Sequence, residues 1–281
     1  MNSAPNISET PSAEAFTGPV IEFDDVHLGF EEGEILRGFS FHVAQHETKV
    51  LIGESGTGKT LTMKLAAGLL QPDSGHVLFS GRDLSQFTED ELFDFRRRIG
   101  FVFQEGALFD SLSVAENVAY RLEEEGQDEE KISARVNEVL KFVEMDDSLD
   151  RMPSDLSGGM RRRVSIARAL ASSPDVVFYD SPTAGLDPVT SQTIITLLLR
   201  LRDTQGVTAL LATHRLQDAF AMANYRFDPQ TSRILPFTKD EAMRDVGEIS
   251  FILLREGKVY FEGTPQAVLD SKDPYLKKFL V

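Results

Sequence analysis

The sequence predicts an α/β fold: a three-layer domain with an antiparallel β subdomain and a helical subdomain. Three observations carry that expectation. Short apolar runs at residues 50–52, 176–179 and 207–213 are each followed by a helical pattern, the alternation that builds a layered α/β sheet. Phe39, Phe41 and Val43 alternate like a half-buried strand, next to another extended run at 20–30. From Leu84 to about Arg151 the pattern turns mainly helical.

Taken in order, residues 1–19 are rich in Ser, Pro, Ala and Glu without periodicity and read as a disordered tail. The domain is expected over 20–281. Residues 20–30 begin a strand, and Glu31-Glu32-Gly33-Glu34 is the turn to the next. The helix after residue 58 carries Leu61, Leu65 and Leu69 on one face and stops before Gln71-Pro72-Asp73-Ser74-Gly75. Residues 77–79 form a further strand. The helical subdomain is placed at about 84–172. Within it, Arg96-Arg97-Arg98 reads as a solvated helix end, 99–103 as a short strand, and the acidic run 123–130 as an exposed loop. Leu156-Ser157-Gly158-Gly159-Met160 opens a helix whose apolar side is Val164, Ile166, Ala167 and Leu170. Asp187-Pro188 is an N-cap followed by proline at the first helical position, and the helix runs through Ile194, Leu197 and Leu201. Residues 226–248 have no clear period. Residues 249–254 and 259–261 form a hairpin around Glu256-Gly257-Lys258, and Gly263-Thr264-Pro265 starts a closing helix.

Composition narrows the function. The 281 residues suffice for one large domain, or a domain with a subdomain. There is no cysteine, which suits the cytoplasm. The net charge of −16 argues against a broad nucleic-acid-binding face. No signal peptide is expected, and the longest apolar stretches, such as 194–201, are too short to span a bilayer. Work at a membrane would need other chains to supply the spanning part.

The chemistry centres on residues 49–60, Lys-Val-Leu-Ile-Gly-Glu-Ser-Gly-Thr-Gly-Lys-Thr. A buried strand runs into Gly, four residues, Gly-Lys-Thr, and then a helix. That order fits a phosphate loop: glycines let backbone N–H groups turn inward, and the helix N-terminus faces the anion. Lys59 can reach the β- and γ-phosphates, and the Thr60 hydroxyl can bind Mg²⁺. The competing reading is a plain Gly-rich turn between strand and helix.

The order of motifs over about residues 20–270 resembles the ATP-binding-cassette (ABC) ATPases. Leu156-Ser157-Gly158-Gly159-Met160 is similar to their signature, and Ser157 stands 23 residues before Asp180. The resemblance implies a P-loop NTPase core with ATP and Mg²⁺ as cofactors. It implies nucleotide contacts from Phe30, Gly53, Glu54, Ser55, Gly56, Thr57, Gly58, Lys59, Thr60, Leu61, Ser157, Gly158 and Gly159. It implies metal ligation by Thr60, Gln104 and Asp180, and catalytic roles for Asp180, Ser181, His214 and Gln104. Asp180 matches the Walker B aspartate, Ala184-Gly185-Leu186-Asp187 the D-loop, Gln104 the Q-loop glutamine and His214 the switch histidine. Phe30 could instead be core, Gln104 an ordinary surface residue and His214 a helix cap. The family pairs head to tail, with ATP between one subunit's Lys59 and the other's Ser157 and Gly159, so a second copy or a similar partner is expected.

Residues 103–118, with the run Gln104-Glu105-Gly106-Ala107-Leu108-Phe109, resemble the ATPases of MCE-type bacterial lipid transporters. That resemblance implies an integral-membrane permease docked on this region and peripheral attachment to the cytoplasmic face of the inner membrane. Two departures stand out. Ser181 occupies the position where the family carries a catalytic glutamate, and 226–248 looks like an insertion. An ATP-dependent dimerising regulatory subunit with little hydrolysis is therefore a second reading. A soluble ABC protein acting on DNA or ribosomes is a third. It lacks the long coiled coils or second cassette of such members, and no nucleic-acid partner is expected.

Overall fold

The computed structural model describes residues 18–237 and 249–280. β1 (Ile21–Phe30) and β2 (Gly33–Val43) form a hairpin whose Phe23, Phe39 and Phe41 rings pack on one another. β3 (Thr48–Ile52) is buried throughout and leads into α1 (Lys59–Ala66). β4 (Ser74–Phe79) and β5 (Arg82–Asp83) follow. α2 (Glu89–Arg97) starts on a capping box between Thr88 and Glu91. β6 (Ile99–Val102) precedes α3 (Val114–Glu124), which has its own box between Ser113 and Glu116, and α4 (Glu129–Phe142). α5 (Gly158–Ala171) is capped by Ser157, whose hydroxyl accepts from the Met160 N–H. β7 (Val176–Asp180) is followed by α6 (Pro188–Gln205), where Asp187 accepts from the N–H groups of Val189 and Thr190. β8 (Thr208–Thr213), α7 (Leu216–Asn224), β9 (Tyr225–Asp228) and β10 (Arg233–Pro236) come next. β11 (Ile249–Arg255), β12 (Lys258–Gly263), α8 (Pro265–Asp270) and α9 (Pro274–Leu280) end the fold.

The central sheet has the order β12-β11-β3-β8-β7-β6, parallel except for β12. The inner strands β3, β7 and β8 are buried on both faces, so they read as continuous apolar runs. Alternate residues point to opposite layers. Val50, Ile52, Val177 and Tyr179 join the core shared with α3, α4, α5 and α6. Leu51, Phe178, Leu210 and Ile252 join the core shared with α1 and the antiparallel sheet β2-β1-β4-β5. Three layers result, with the parallel sheet in the middle.

Some details differ from the sequence reading. α1 ends at Ala66, and Leu69 lies beyond it and is exposed rather than on its apolar face. Arg96 and Arg97 are half-buried rather than solvated, because Arg96 Nη2 donates to the Gly68 carbonyl at 2.7 Å and Arg97 lies over the Phe93 ring. The stretch without period contains the β9–β10 hairpin, held against α6 by Asp203, whose carboxylate accepts from Phe227 N–H. The period-2 signal is hidden because its strands are only four residues long. The remaining residues of that insertion, 238–248, and residues 1–17 of the expected tail lie outside the described residues.

Candidate nucleotide site

Four neighbouring parallel strands carry the predicted residues at one edge of the sheet. In register, Ile52 pairs with Thr213, Asp180 with Ala212 and Val102 with Tyr179. The residues just past those C-terminal ends are therefore side by side: the 53–58 loop, His214, Ser181 and Gln104. In open α/β sheets this edge is where ligands bind.

The 53–58 loop is shaped by close contacts. Gly58 has φ +99°, and a Cβ there would meet Leu36 Cδ2 at 2.8 Å, so only glycine fits. Lys59 Nζ donates to the carbonyls of Gly53 and Glu54, both at 2.8 Å. Lys59 is 8% exposed, and burial pulls its pKa below the ordinary lysine value while Asp180 opposes the shift. Among the described residues it pairs with no carboxylate, so its charge is available to an anion. Thr60 Oγ1 donates to Asp180 Oδ2 at 2.8 Å. No side chain caps α1, which leaves its first N–H groups facing the loop. An ammonium held by neutral oxygens only, an uncapped helix start and a hydroxyl beside a carboxylate fit a polyphosphate with a hard, oxygen-loving cation.

Ser181 is buried and has φ +49°, the turn that leads β7 into the following loop. Its Oγ donates to Asp180 Oδ1 at 3.3 Å, and its N–H donates to the Ala212 carbonyl at 2.9 Å. A network that the sequence did not reveal stands behind this loop. The Thr183 hydroxyl donates to buried Asp218 Oδ2, and Arg215 Nη1 donates to Ser191 Oγ at 2.8 Å and to the Thr183 carbonyl. It ties the 183–187 loop to α7, the helix just after His214. Burial raises the Asp218 pKa against the opposing effects of Thr183, Arg215 and His214. The folded chain thus holds that proton more tightly than the unfolded one. Ionising Asp218 costs stability above its folded pKa, and the cost disappears as pH falls through it toward the unfolded value. Asp218→Asn removes the titration. Relative to that variant, the wild type is expected to gain stability as pH is lowered into this range, read from paired melting curves. A difference independent of pH would contradict it.

Gln104 is exposed, and the loop after it is held from α5 and α3. Arg162 donates to the Phe103 and Gln104 carbonyls, and Arg168 to the Gly106 and Ala107 carbonyls. Asn117, fully buried on α3, accepts from Phe109 N–H and donates to the carbonyls of Phe109, Leu112 and Ser113. Asn117→Ala strands those groups and is expected to cost about 2 kcal/mol or more of folding stability. Chemical denaturation measures it, and a change within about 0.5 kcal/mol, as at an ordinary surface site, would contradict it. Leu108 is half-buried against the core. Phe109 is 43% exposed, lies 4.7 Å from the Tyr120 ring, and so is not a core residue.

Gly158 and Gly159 abut Leu186 and Thr190, at the start of α6, instead of the 53–60 loop. A Cβ on Gly159 would come within 2.3 Å of Thr190 Cγ2, so glycine is required by close approach. Ser157 and Gly158 are exposed, and the α5 N-terminus opens outward. Phe30, at the end of β1, is 53% exposed and is not core. Glu54, Ser55 and Gly56 are exposed on the loop, Thr57 donates to the Glu54 carbonyl, and Leu61 is half-buried on α1. Sequence reasoning missed Arg162, Asn117 and Asp218. The spacing Gly159, Arg162, Ile166, Ala169 was the available signal, since it puts Arg162 on a buried helix face.

The ABC transporter family model matches residues 36–184. The chain belongs to the ABC transporter family. It is an ATPase cassette, the energy-coupling type of subunit. Among curated relatives, the intermembrane phospholipid transport system ATP-binding protein MlaF of Haemophilus influenzae is 31% identical, over 90% of this chain and 88% of that protein. The chloroplastic protein TRIGALACTOSYLDIACYLGLYCEROL 3 of Arabidopsis thaliana is 35% identical, over 92% of this chain and 73% of its own. The methionine import ATP-binding protein MetN of Brucella abortus is 39% identical, but over 72% of this chain and 55% of its own length. The dimeric structure of the ATP-binding cassette MJ0796, in a post-hydrolysis state with ADP and Pi, superposes with a TM-score of 0.72 at 28% identity. It covers 87% of this chain and 98% of that one. Among the described residues no helix is long and apolar enough to cross a membrane.

Proposed function

We propose that this cassette binds and hydrolyses MgATP to drive a separate membrane permease for phospholipid or a related lipid. The observation that carries the reading is the pairing of the Lys59–Thr60–Asp180 cluster with a Q-loop region, 103–118, that resembles MCE-type ATPases. MlaF, an intermembrane phospholipid transport system ATP-binding protein, matches over most of both chains, which supports lipid over methionine. Lys59 and the α1 N-terminus hold the phosphates. Thr60, Gln104 and Asp180 hold Mg²⁺, which when bound offsets the charge spread over the transferring phosphoryl group. Phe30, exposed at the end of β1, stacks on the adenine. Two copies pair head to tail, so the outward-facing α5 N-terminus of one completes the site of the other. His214 stabilises the γ-phosphate. The partner permease sits in the inner membrane, with this chain on its cytoplasmic face and no nucleic acid involved.

Phe109 and Leu108 mark the docking surface. A photo-cross-linking residue at Phe109, used in native membranes, is expected to capture an integral-membrane permease of an MCE-type lipid transport complex. Capture of an amino-acid or sugar permease, or of soluble chains alone, would overturn the assignment. A second reading, an ATP-dependent dimerising regulator with little hydrolysis, is favoured by Ser181, whose hydroxyl is turned onto Asp180. Steady-state turnover separates the two.

A further inference from the structure

We infer that Arg162 is a positioning residue that sets the direction of Gln104 and links it to the signature helix. It sits five positions after Ser157 on α5 and is only 4% exposed. Nη1 donates to the Phe103 carbonyl and Nη2 to the Gln104 carbonyl. Its Nε is buried with no partner. The guanidinium therefore makes no ion pair among the described residues and spends its donors on two successive loop carbonyls.

A buried charge held this way is a poor device for stability. Burial disfavours the charged form, and a neutral side chain of similar volume would pack as well. Burial does pull the Arg162 pKa down, with only the more distant charges of Asp180 and Glu105 opposing it. What the arrangement does fix is geometry. The planar guanidinium fork constrains two adjacent carbonyls at once, which a point charge cannot do. The Gln104 side chain is exposed and makes no hydrogen bond of its own among the described residues, so its aim follows from its backbone. Arg168 repeats the device six residues on, about 1.7 turns along the helix, at Gly106 and Ala107.

The consequence rests on the head-to-tail pairing proposed above. Gln104 serves the site of its own chain, whereas the α5 N-terminus completes the site of the other copy. Arg162 then joins the two sites through one helix, and a shift at either is felt at both.

The test is a double-mutant cycle on ATP turnover by the chain with its permease. The variants are Arg162→Lys, Arg162→Gln, Gln104→Ala and the Arg162→Lys/Gln104→Ala pair. ATP affinity and melting temperature are measured beside kcat and the Hill coefficient. Arg162→Lys keeps the charge but loses the fork, and is expected to lower kcat on the order of 10-fold with ATP affinity unchanged and a smaller Hill coefficient. The double variant is expected to be no slower than Gln104→Ala alone. Additive losses, with Gln104→Ala itself slow, would overturn the link and leave the ATPase reading standing. Normal turnover in Gln104→Ala would overturn both the Gln104 assignment and the link. If both Arg162 variants fail to fold, Arg162 is a buttress of the core and the inference fails.

Discussion

Lys59→Ala is expected to weaken ATP binding by at least about 100-fold while leaving the fold intact. Hydrogen bonds to charged groups contribute about 1.5–3 kcal/mol each, and removal of the ammonium takes away at least two from the phosphates. Near 3 kcal/mol, the loss is a little over two decades in affinity. In the free chain the same ammonium bonds the carbonyls of Gly53 and Glu54, at a loop that is largely exposed on the Glu54 side, so water can replace it there. The pH dependence follows from burial, which lowers the Lys59 pKa. The charge, and with it the affinity, is present below that pKa and is lost as pH rises through it. The decline therefore starts at a lower pH than an ordinary lysine would give. Calorimetric titration with ATP at several pH values measures both effects. Unchanged affinity in a folded variant would contradict the role of Lys59.

Ser181→Glu is expected to raise turnover on the order of 10²-fold, the low end of what a positioned general base contributes. A serine hydroxyl can hold a water but accepts a proton poorly at neutral pH. Here the hydroxyl is also engaged, donating to Asp180 Oδ1. The wild type still hydrolyses slowly, because phosphoryl transfer depends mainly on positioning and on stabilising spread negative charge. Lys59, the α5 N-terminus and His214 remain to do that. The backbone does not oppose the exchange, since φ +49° at Ser181 is equally strained for glutamate. Turnover of both proteins with the permease bound decides it. A glutamate variant no faster than the wild type would show that the missing carboxylate is not limiting.

Much of this was legible in the sequence because the signals are local. A buried strand, a glycine loop and a helix in sequence placed Lys59 and Thr60, and the apolar run before Asp180 placed the carboxylate at the end of β7. The alternation of Val50, Leu51 and Ile52 between two cores required the sheet itself, since a strand buried on both faces shows no period. The tethers were hidden for a different reason. Arg162 and Asn117 are polar residues spent on backbone carbonyls 58–59 and 4–8 residues away, and nothing in their neighbours marks those partners. The Asp218–Thr183 contact likewise joins residues 35 apart, brought together only when β7 and β8 pair.

Under the proposed function, ATP hydrolysis by this chain drives lipid movement through a membrane partner. The most direct measurement is transport by the complex purified with its own permease and reconstituted in phospholipid vesicles. Movement of a fluorescent phospholipid and of radiolabelled methionine would be followed side by side, with ATP and with Lys59→Ala as the control. ATP-dependent movement of the phospholipid is expected, with its loss in Lys59→Ala and no movement of methionine. ATP-dependent methionine uptake, or phospholipid movement that is the same with Lys59→Ala, would contradict it.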